Sequence, residues 1–280
     1  MNLDIKDNNK VVFVTGVSSG LGLEILKAFL EKGFKVCGTT RDVKALEKVI
    51  PKNPNLLLLQ VNVLEDASVQ EAVNKAIAHF GDLHVLINNH GCAVIGAIEE
   101  FSVEELKDQY EINVFSVLRV IKAVLPHFRS KKSGQIITVG SMLSTAGTGI
   151  MGGYGSSKGA LAILTESLAI EVKPLGIKVT GWHPGQFESK INDNQKRVKE
   201  VIPEYNTNQR VEYYLSHKFQ TGQSKPEKQA QLIIHLTQIE NPPVNIYIGS
   251  DSRLFAQKKI QSMEQSLKEW EPFTTFDALN

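Results

Sequence analysis

The chain has 280 residues, 42% of them hydrophobic, with 31 basic against 30 acidic side chains and a formal net charge of +1. That balance excludes a broad basic surface for nucleic acid or anionic lipid, and the length suits one large α/β domain or two small ones. No apolar run reaches the roughly 20 residues that cross a bilayer, the opening MNLDIKDNNK has no signal-peptide core, and Cys37 and Cys92 give neither a disulfide framework nor a paired-cysteine metal signature. A cytoplasmic protein is expected, with no membrane or nucleic-acid partner and no metal.

Seven short apolar runs, at 10–15, 34–39, 55–61, 83–88, 134–140, 176–182 and 244–249, read as buried strands. Between them 20–32, 66–80, 103–129 and 155–172 carry helical spacing, the last through Leu161, Leu164, Leu168 and Val172. This alternation calls for right-handed crossovers and an α/β fold: a doubly wound parallel sheet of about seven strands (a Rossmann fold) with helices on both faces. Without repeats or a linker, residues 1–280 read as a single domain. Residues 186–226 are polar with scattered aromatics, as a substrate lid would be, and Lys196, Arg197 and Lys199 read as a solvated helix face. A C-terminal helix and tail are expected over 250–280, with Trp270 pinning the tail to the body.

The first strand runs into VTGVSSGLGLE, residues 14–24. A strand that feeds a glycine-rich turn and then a helix gathers free backbone N–H groups and the positive end of a helix dipole at one point, which suits a pyrophosphate. Gly16, Gly20 and Gly22 supply the tight turn, close backbone approach and helix packing that such a site needs. Glycines also close ordinary strand-to-helix loops, so the turn alone does not decide.

A second clue is YGSSK, Tyr154 to Lys158, at the start of a helix. Four-residue spacing puts phenol and ammonium on one face, where the ammonium favours phenolate and lowers a pKa that starts near 10. A tyrosine packed beside a surface lysine gives the same pattern. Ser141, however, ends the strand GQIITVG, and ligands bind at the C-terminal ends of parallel strands.

With these residues together, the chain resembles the short-chain dehydrogenases and reductases, in their single-domain branch of ordinary length. The T-G-x-x-x-G-x-G motif matches Thr15 to Gly22, N-N-x-G matches Asn88 to Gly91, and a P-G element matches Pro184 and Gly185. The catalytic asparagine, serine, tyrosine and lysine fall on Asn113, Ser141, Tyr154 and Lys158. The resemblance implies hydride transfer between nicotinamide and a carbonyl or alcohol carbon. Tyr154 is then the general acid or base, Ser141 orients the substrate oxygen, Lys158 lowers the tyrosine pKa and holds the ribose, and Asn113 positions a proton-passing water. The expected cofactor contacts are Gly16, Ser18, Ser19, Gly20, Leu21, Gly22, Thr40, Arg41, Asn62, Val63, Asn89, Gly91, Tyr154, Lys158, Pro184 and Gly185.

Enzymes that use NAD tend to carry an acid about 20 residues beyond the glycine motif. Alignment with the family puts Thr40 there, followed by Arg41, whose guanidinium can clasp a 2′-phosphate while Thr40 and Ser18 donate hydroxyls. NADP(H) is therefore favoured, with NAD(H) retained because Asp42 could reach the ribose after a one-residue shift. Two positions depart from the family: His90 stands where alanine is usual and could reach the cofactor ribose or a phosphate, though pointing to solvent is the reading preferred, and Asn62 replaces the aspartate near adenine, whose edge an amide can still bond. The substrate, a small and largely apolar carbonyl or alcohol, is expected among Met142, Leu143, Met151, Trp182 and Phe187. The alternatives are a dinucleotide-binding redox sensor without turnover, an NAD-dependent alcohol dehydrogenase, and a nucleotide-sugar epimerase or dehydratase. The intact four catalytic positions speak against the first, and the glycine spacing against the last. The resemblance allows a homo-oligomer, dimer or tetramer.

Overall fold

The computed structural model describes residues 7–187, 195–217 and 225–275. Seven parallel strands, β1 (Val11–Thr15), β2 (Lys35–Thr40), β3 (Leu56–Gln60), β4 (Val85–Asn88), β5 (Gly134–Val139), β6 (Ile177–Pro184) and β7 (Asn245–Ile248), pair in the order 3-2-1-4-5-6-7. Each overlies one of the apolar runs read as a strand. Among the described residues the α-helices are α1 (Gly20–Glu31), α2 (Val43–Glu47), α3 (Asp66–Phe80), α4 (Val103–Tyr110), α5 (Ser116–Lys131), α6 (Gly152–Val172), α7 (Thr207–His217), α8 (Pro226–Leu236) and α9 (Ser250–Thr274).

The period-two geometry of a strand sends alternate side chains to opposite faces, and β1 buries both sets. Val11 and Phe13 pack with Val69 and Val73 of α3, Val120 and Val124 of α5, and Leu161 of α6. Val12 and Val14 pack with Ile25, Leu26 and Phe29 of α1 and with Ala230, Ile233 and Ile234 of α8. With helices on both faces, the sheet leaves its C-terminal edge as the place where polar groups can gather.

Several local expectations are corrected. The helix expected over 103–129 is interrupted by a π-helical turn, Glu111–Phe115, in which the Ser116 N–H bonds back to the Glu111 carbonyl. Lys196 and Arg197 form a two-residue strand beside Val94–Ile95, not a helix face. Trp270 is 60% exposed and its ring lies against Phe273, so it pins nothing to the body; residues 257–275 are exposed throughout. Of the segment read as a lid, 188–194 and 218–224 lie outside the described residues, as do 276–280 of the tail. Among the described residues no helix is long and apolar enough to cross a membrane.

Candidate active site

A cleft of about 1350 Å³ runs along the C-terminal edge of the sheet, from the glycine turn after β1 to α7 and α9. It exceeds the roughly 300–1,000 Å³ of a drug-sized pocket, leaving room for a dinucleotide and a substrate together. Gly16, Ser18, Ser19, Gly20, Leu21, Thr40, Arg41, Asn62, Val63, Asn89, Gly91, Ser141, Tyr154, Lys158, Pro184 and Gly185 all line it. Of the expected catalytic and cofactor-binding residues, only Gly22 and Asn113 do not reach the wall.

The glycine turn has the shape its residues suggest. Gly16 and Gly20 take left-handed backbone angles, φ +70° and +56°, which other residues adopt at a cost. Gly16 and Val17 donate their N–H groups to the Thr39 carbonyl at 3.0 and 3.1 Å, docking the turn on β2. Gly22 acts from behind: a Cβ there would stand 2.2 Å from the Gly16 carbonyl oxygen and 2.4 Å from Asn89 Nδ2. Asn89 closes the turn, its Nδ2 donating to the carbonyls of Thr15 at 3.1 Å and Gly16 at 3.0 Å. Ser19 leaves the first turn of α1 without a side-chain cap, and Ser19, Gly20 and Leu21 line the cleft, where uncapped N–H groups suit an anion. These residues fit the pyrophosphate of a dinucleotide.

At the end of β2 the two rivals for the ribose part company. The Asp42 carboxylate caps α2 by accepting the Ala45 N–H at 3.0 Å, while Arg41 lines the cleft. The Asn62 amide donates to Glu65 at 2.6 Å and accepts from the Leu64 N–H at 3.2 Å, so much of its capacity is used within its own turn.

Ser141 follows β5, and its hydroxyl accepts the Leu143 N–H at 3.1 Å. Tyr154 lies in the first turn of α6, hydrogen-bonded with Ser141. One turn on, Lys158 is 3% exposed, with Nζ 5.9 Å from the Tyr154 ring centroid and donating to the Val139 carbonyl at 2.8 Å. The ammonium therefore aims at a carbonyl, and the expected lowering of the phenol pKa does not occur here. Burial raises Tyr154 to about 12 against the opposing pull of Ser141, and burial brings Lys158 down to about 8.

Asn113 is fully buried within the π turn. Its Oδ1 accepts the Cys92 N–H at 2.9 Å, and its Nδ2 donates to the Cys92 carbonyl at 2.9 Å and to Ser157 Oγ at 3.0 Å. Gly91 lets these groups close up, since a Cβ there would meet Asn113 Oδ1 at 3.1 Å and Lys158 Nζ at 3.5 Å. His90, expected to point to solvent, turns inward between Thr15 and Ser116. Cys92 lines the cleft with its thiol pKa raised by burial.

The far end of the cleft is apolar. Ile95, Leu143, Ile150, Met151 and Val211 form a buried cluster, with Met142, Tyr154, Tyr214 and Phe255 packed on it. Ile150, a β-branched residue at φ +61°, is strained there. Met142, Leu143, Met151 and Phe187 line the cleft as expected, but Trp182 does not: it is 0% exposed and donates to Gln229 Oε1 at 3.2 Å within the core under α8. Sequence reasoning also missed Tyr214 and Phe255, contributed by α7 and α9, and Asp251. The Asp251 carboxylate accepts the Gln186 N–H at 2.6 Å and stands where a Cβ on Gly185 would be, 1.9 Å away.

The family model of the short chain dehydrogenases matches residues 10–200, well over half of the chain. The chain belongs to the short-chain dehydrogenase family. This dehydrogenase is similar to "Oxidoreductase BOA17" of Botryotinia fuckeliana, 31% identical over 265 residues that cover 93% of this chain and 96% of the relative. It is also similar to a 3-ketodihydrosphingosine reductase of Bacteroides thetaiotaomicron, 33% identical over 259 residues that cover 89% and 92%. A short-chain dehydrogenase structure from Streptomyces avermitilis superposes with a TM-score of 0.87 at 28% identity, covering 97% of this chain and 99% of the other. The dehydrogenase is accordingly an enzyme of CH–OH and C=O groups that works with a nicotinamide dinucleotide.

Proposed function

We propose that the enzyme is an NADP(H)-dependent reductase or dehydrogenase of a small, largely apolar carbonyl or alcohol, with Tyr154 as general acid or base. The observation that carries this reading is the convergence of Ser141, Tyr154 and Lys158 on one stretch of cleft wall, between the glycine turn and the apolar cluster around Met151. A bound nicotinamide supplies or accepts the hydride. Ser141 orients the substrate oxygen, Tyr154 gives it a proton in reduction or takes one in oxidation, and Lys158 steadies the charge that develops on the phenol. Burial holds the phenol above its ordinary pKa, and Lys158, whose ammonium donates to the Val139 carbonyl on the same cleft wall, is the cation that would favour its ionised form and would hold the ribose of a bound cofactor. Asn113 holds the backbone at Cys92, on the cleft wall that Lys158 shares.

Arg41 supports NADP(H), because Asp42 is engaged in its helix cap and leaves the guanidinium as the charged group facing the adenosine end of the cleft. The test is consumption of NADPH and NADH with a panel of aldehydes and ketones, Tyr154→Phe beside the wild type. Turnover of NADPH by the wild type alone is the expected result. Equal rates in both proteins, or a preference for NADH, would overturn the mechanism or the cofactor assignment respectively.

A further inference from the structure

His90, half-buried on the wall of the cleft, is a titratable group that the chemistry above does not use. Its Nδ1 lies 2.7 Å from Thr15 Oγ1 and its Nε2 2.6 Å from Ser116 Oγ. The Ser116 hydroxyl donates to the Ile112 carbonyl at 2.6 Å, so Ser116 Oγ accepts from the His90 Nε2–H, and this assigns the tautomer. Nδ1 is then the acceptor for the Thr15 hydroxyl. A single directed chain results, from Thr15 through His90 and Ser116 to the Ile112 carbonyl. Burial, assisted by the Lys158 charge, lowers the imidazole to about 4, so the ring is neutral near pH 7.

The two ends of this chain matter to the site. Thr15 is the last residue of β1, and the His90 Cβ stands 2.9 Å from where a Cβ on Gly16 would be. At the other end, Ile112 and Ser116 bracket Asn113 in the π turn. A π turn carries one residue more than an α turn, and resolving it to regular helix would rotate the residues on one side by roughly 100°. Such a rotation would take the Asn113 amide off Cys92 and Ser157. Because its Nε2 carries the proton and cannot accept, His90 donates to Ser116 while the Ser116 hydroxyl keeps its own proton on the Ile112 carbonyl.

We propose that His90 is a positioning residue: through Ser116 it holds the π turn in the register that presents Asn113 to Cys92 and Ser157 beside Lys158. The role rests on the reductase reading above. Its test therefore has one readout tied to turnover and one that is not. His90→Ala, Ser116→Ala and Ser116→Thr are made in the full chain. Amide hydrogen exchange of the peptide covering 108–117 is compared with the wild type, alongside kcat, KM and cofactor Kd for the best carbonyl of the panel. Exchange at least tenfold faster in both alanine variants is expected, together with a tenfold or greater fall in kcat, KM and cofactor Kd within about twofold, and recovery of both signals in Ser116→Thr. Unchanged exchange, or a fall in cofactor affinity alone, would overturn the proposal. If no carbonyl is turned over by the wild type, the reductase reading fails while the exchange result still decides the role of His90. If His90→Ala does not fold, Ser116→Ala, which leaves the imidazole in place, decides it alone.

Discussion

Glu100 and Thr207, 107 residues apart in the chain, meet at 2.8 Å, the hydroxyl of one donating to both carboxylate oxygens of the other. The same carboxylate accepts the N–H groups of Ala97 at 2.8 Å and Ile202 at 2.9 Å, and it is 4% exposed. This acid fastens the 196–207 segment, and the start of α7, to the body beside the apolar end of the cleft.

Replacing Glu100 tests that fastening. Burial raises its pKa, but the hydrogen bonds from Ile202, Thr207 and Ala97 outweigh it and hold the carboxyl below its usual 4.5. A depressed acid stabilises the fold above the unfolded pKa and loses that contribution as pH falls through the folded one. Glu100→Gln is expected to cost on the order of 2 kcal/mol at neutral pH and to expose 196–217 to limited proteolysis. Wild type and variant should converge as the pH drops below about 4.5. A constant gap down to pH 3 would mean that the carboxylate charge is not what holds the segment.

Lys158 predicts a slope of the same sign in a more alkaline window. Its folded pKa is about 8 against an ordinary 10.5, so between those values the unfolded chain binds more protons and stability rises with pH. Below pH 8 the buried ammonium carries its full cost, on the order of 3 kcal/mol. In urea titrations Lys158→Met should therefore flatten the rise seen in the wild type from pH 8 to 10. Identical slopes would contradict the burial of this ammonium.

Gly22 offers a steric test. Alanine is the better helix former by about 1 kcal/mol, yet its Cβ would meet the Gly16 carbonyl oxygen at 2.2 Å, and that oxygen belongs to backbone. Gly22→Ala is expected to destabilise the chain by roughly 1–3 kcal/mol and to weaken dinucleotide binding at least tenfold. Gly147→Ala, with nothing within 4 Å of the new Cβ, serves as the control and should leave both unchanged.

Arg41 bears on cofactor choice. A charge-assisted bond to a 2′-phosphate contributes about 1.5–3 kcal/mol, roughly 10- to 150-fold in affinity. Arg41→Ala should weaken NADPH binding within that range and change NADH binding by less than threefold, read by nucleotide fluorescence. Equal losses for both nucleotides would remove the 2′-phosphate from the account.

The seven strands were legible because parallel strands buried on both faces read as near-continuous apolar runs with turn residues between them. The cleft lining was legible for a related reason: most of it comes from strand ends, whose position the runs mark. What escaped came from tertiary contacts without a local signal. The π turn leaves the apolar spacing on either side intact, so 103–129 read as one helix. Trp182 lies near the cleft in sequence, but in β6 it shares a face with Thr180 and turns into the core under α8. Asp251 meets Gly185 only because β6 and β7 are neighbours, and His90 finds Ser116 only where the loop after β4 meets the start of α5. α8, PEKQAQLIIHL, starts at Pro226, where the polar stretch read as a lid ends, and no sequence reading assigns it a helix.

The strand order has a consequence for synthesis. β1 sits between β2 and β4, so the 3-2-1-4 half of the sheet is encoded by residue 88 and can pair as soon as that stretch leaves the ribosome. The cover for one face arrives much later: Ile25, Leu26 and Phe29 of α1 wait for Ala230, Ile233 and Ile234 of α8. A nascent chain arrested between residues 90 and 225 would thus carry a formed sheet with a bare apolar flank, the kind of surface that chaperones hold, and release from that state should coincide with emergence of α8.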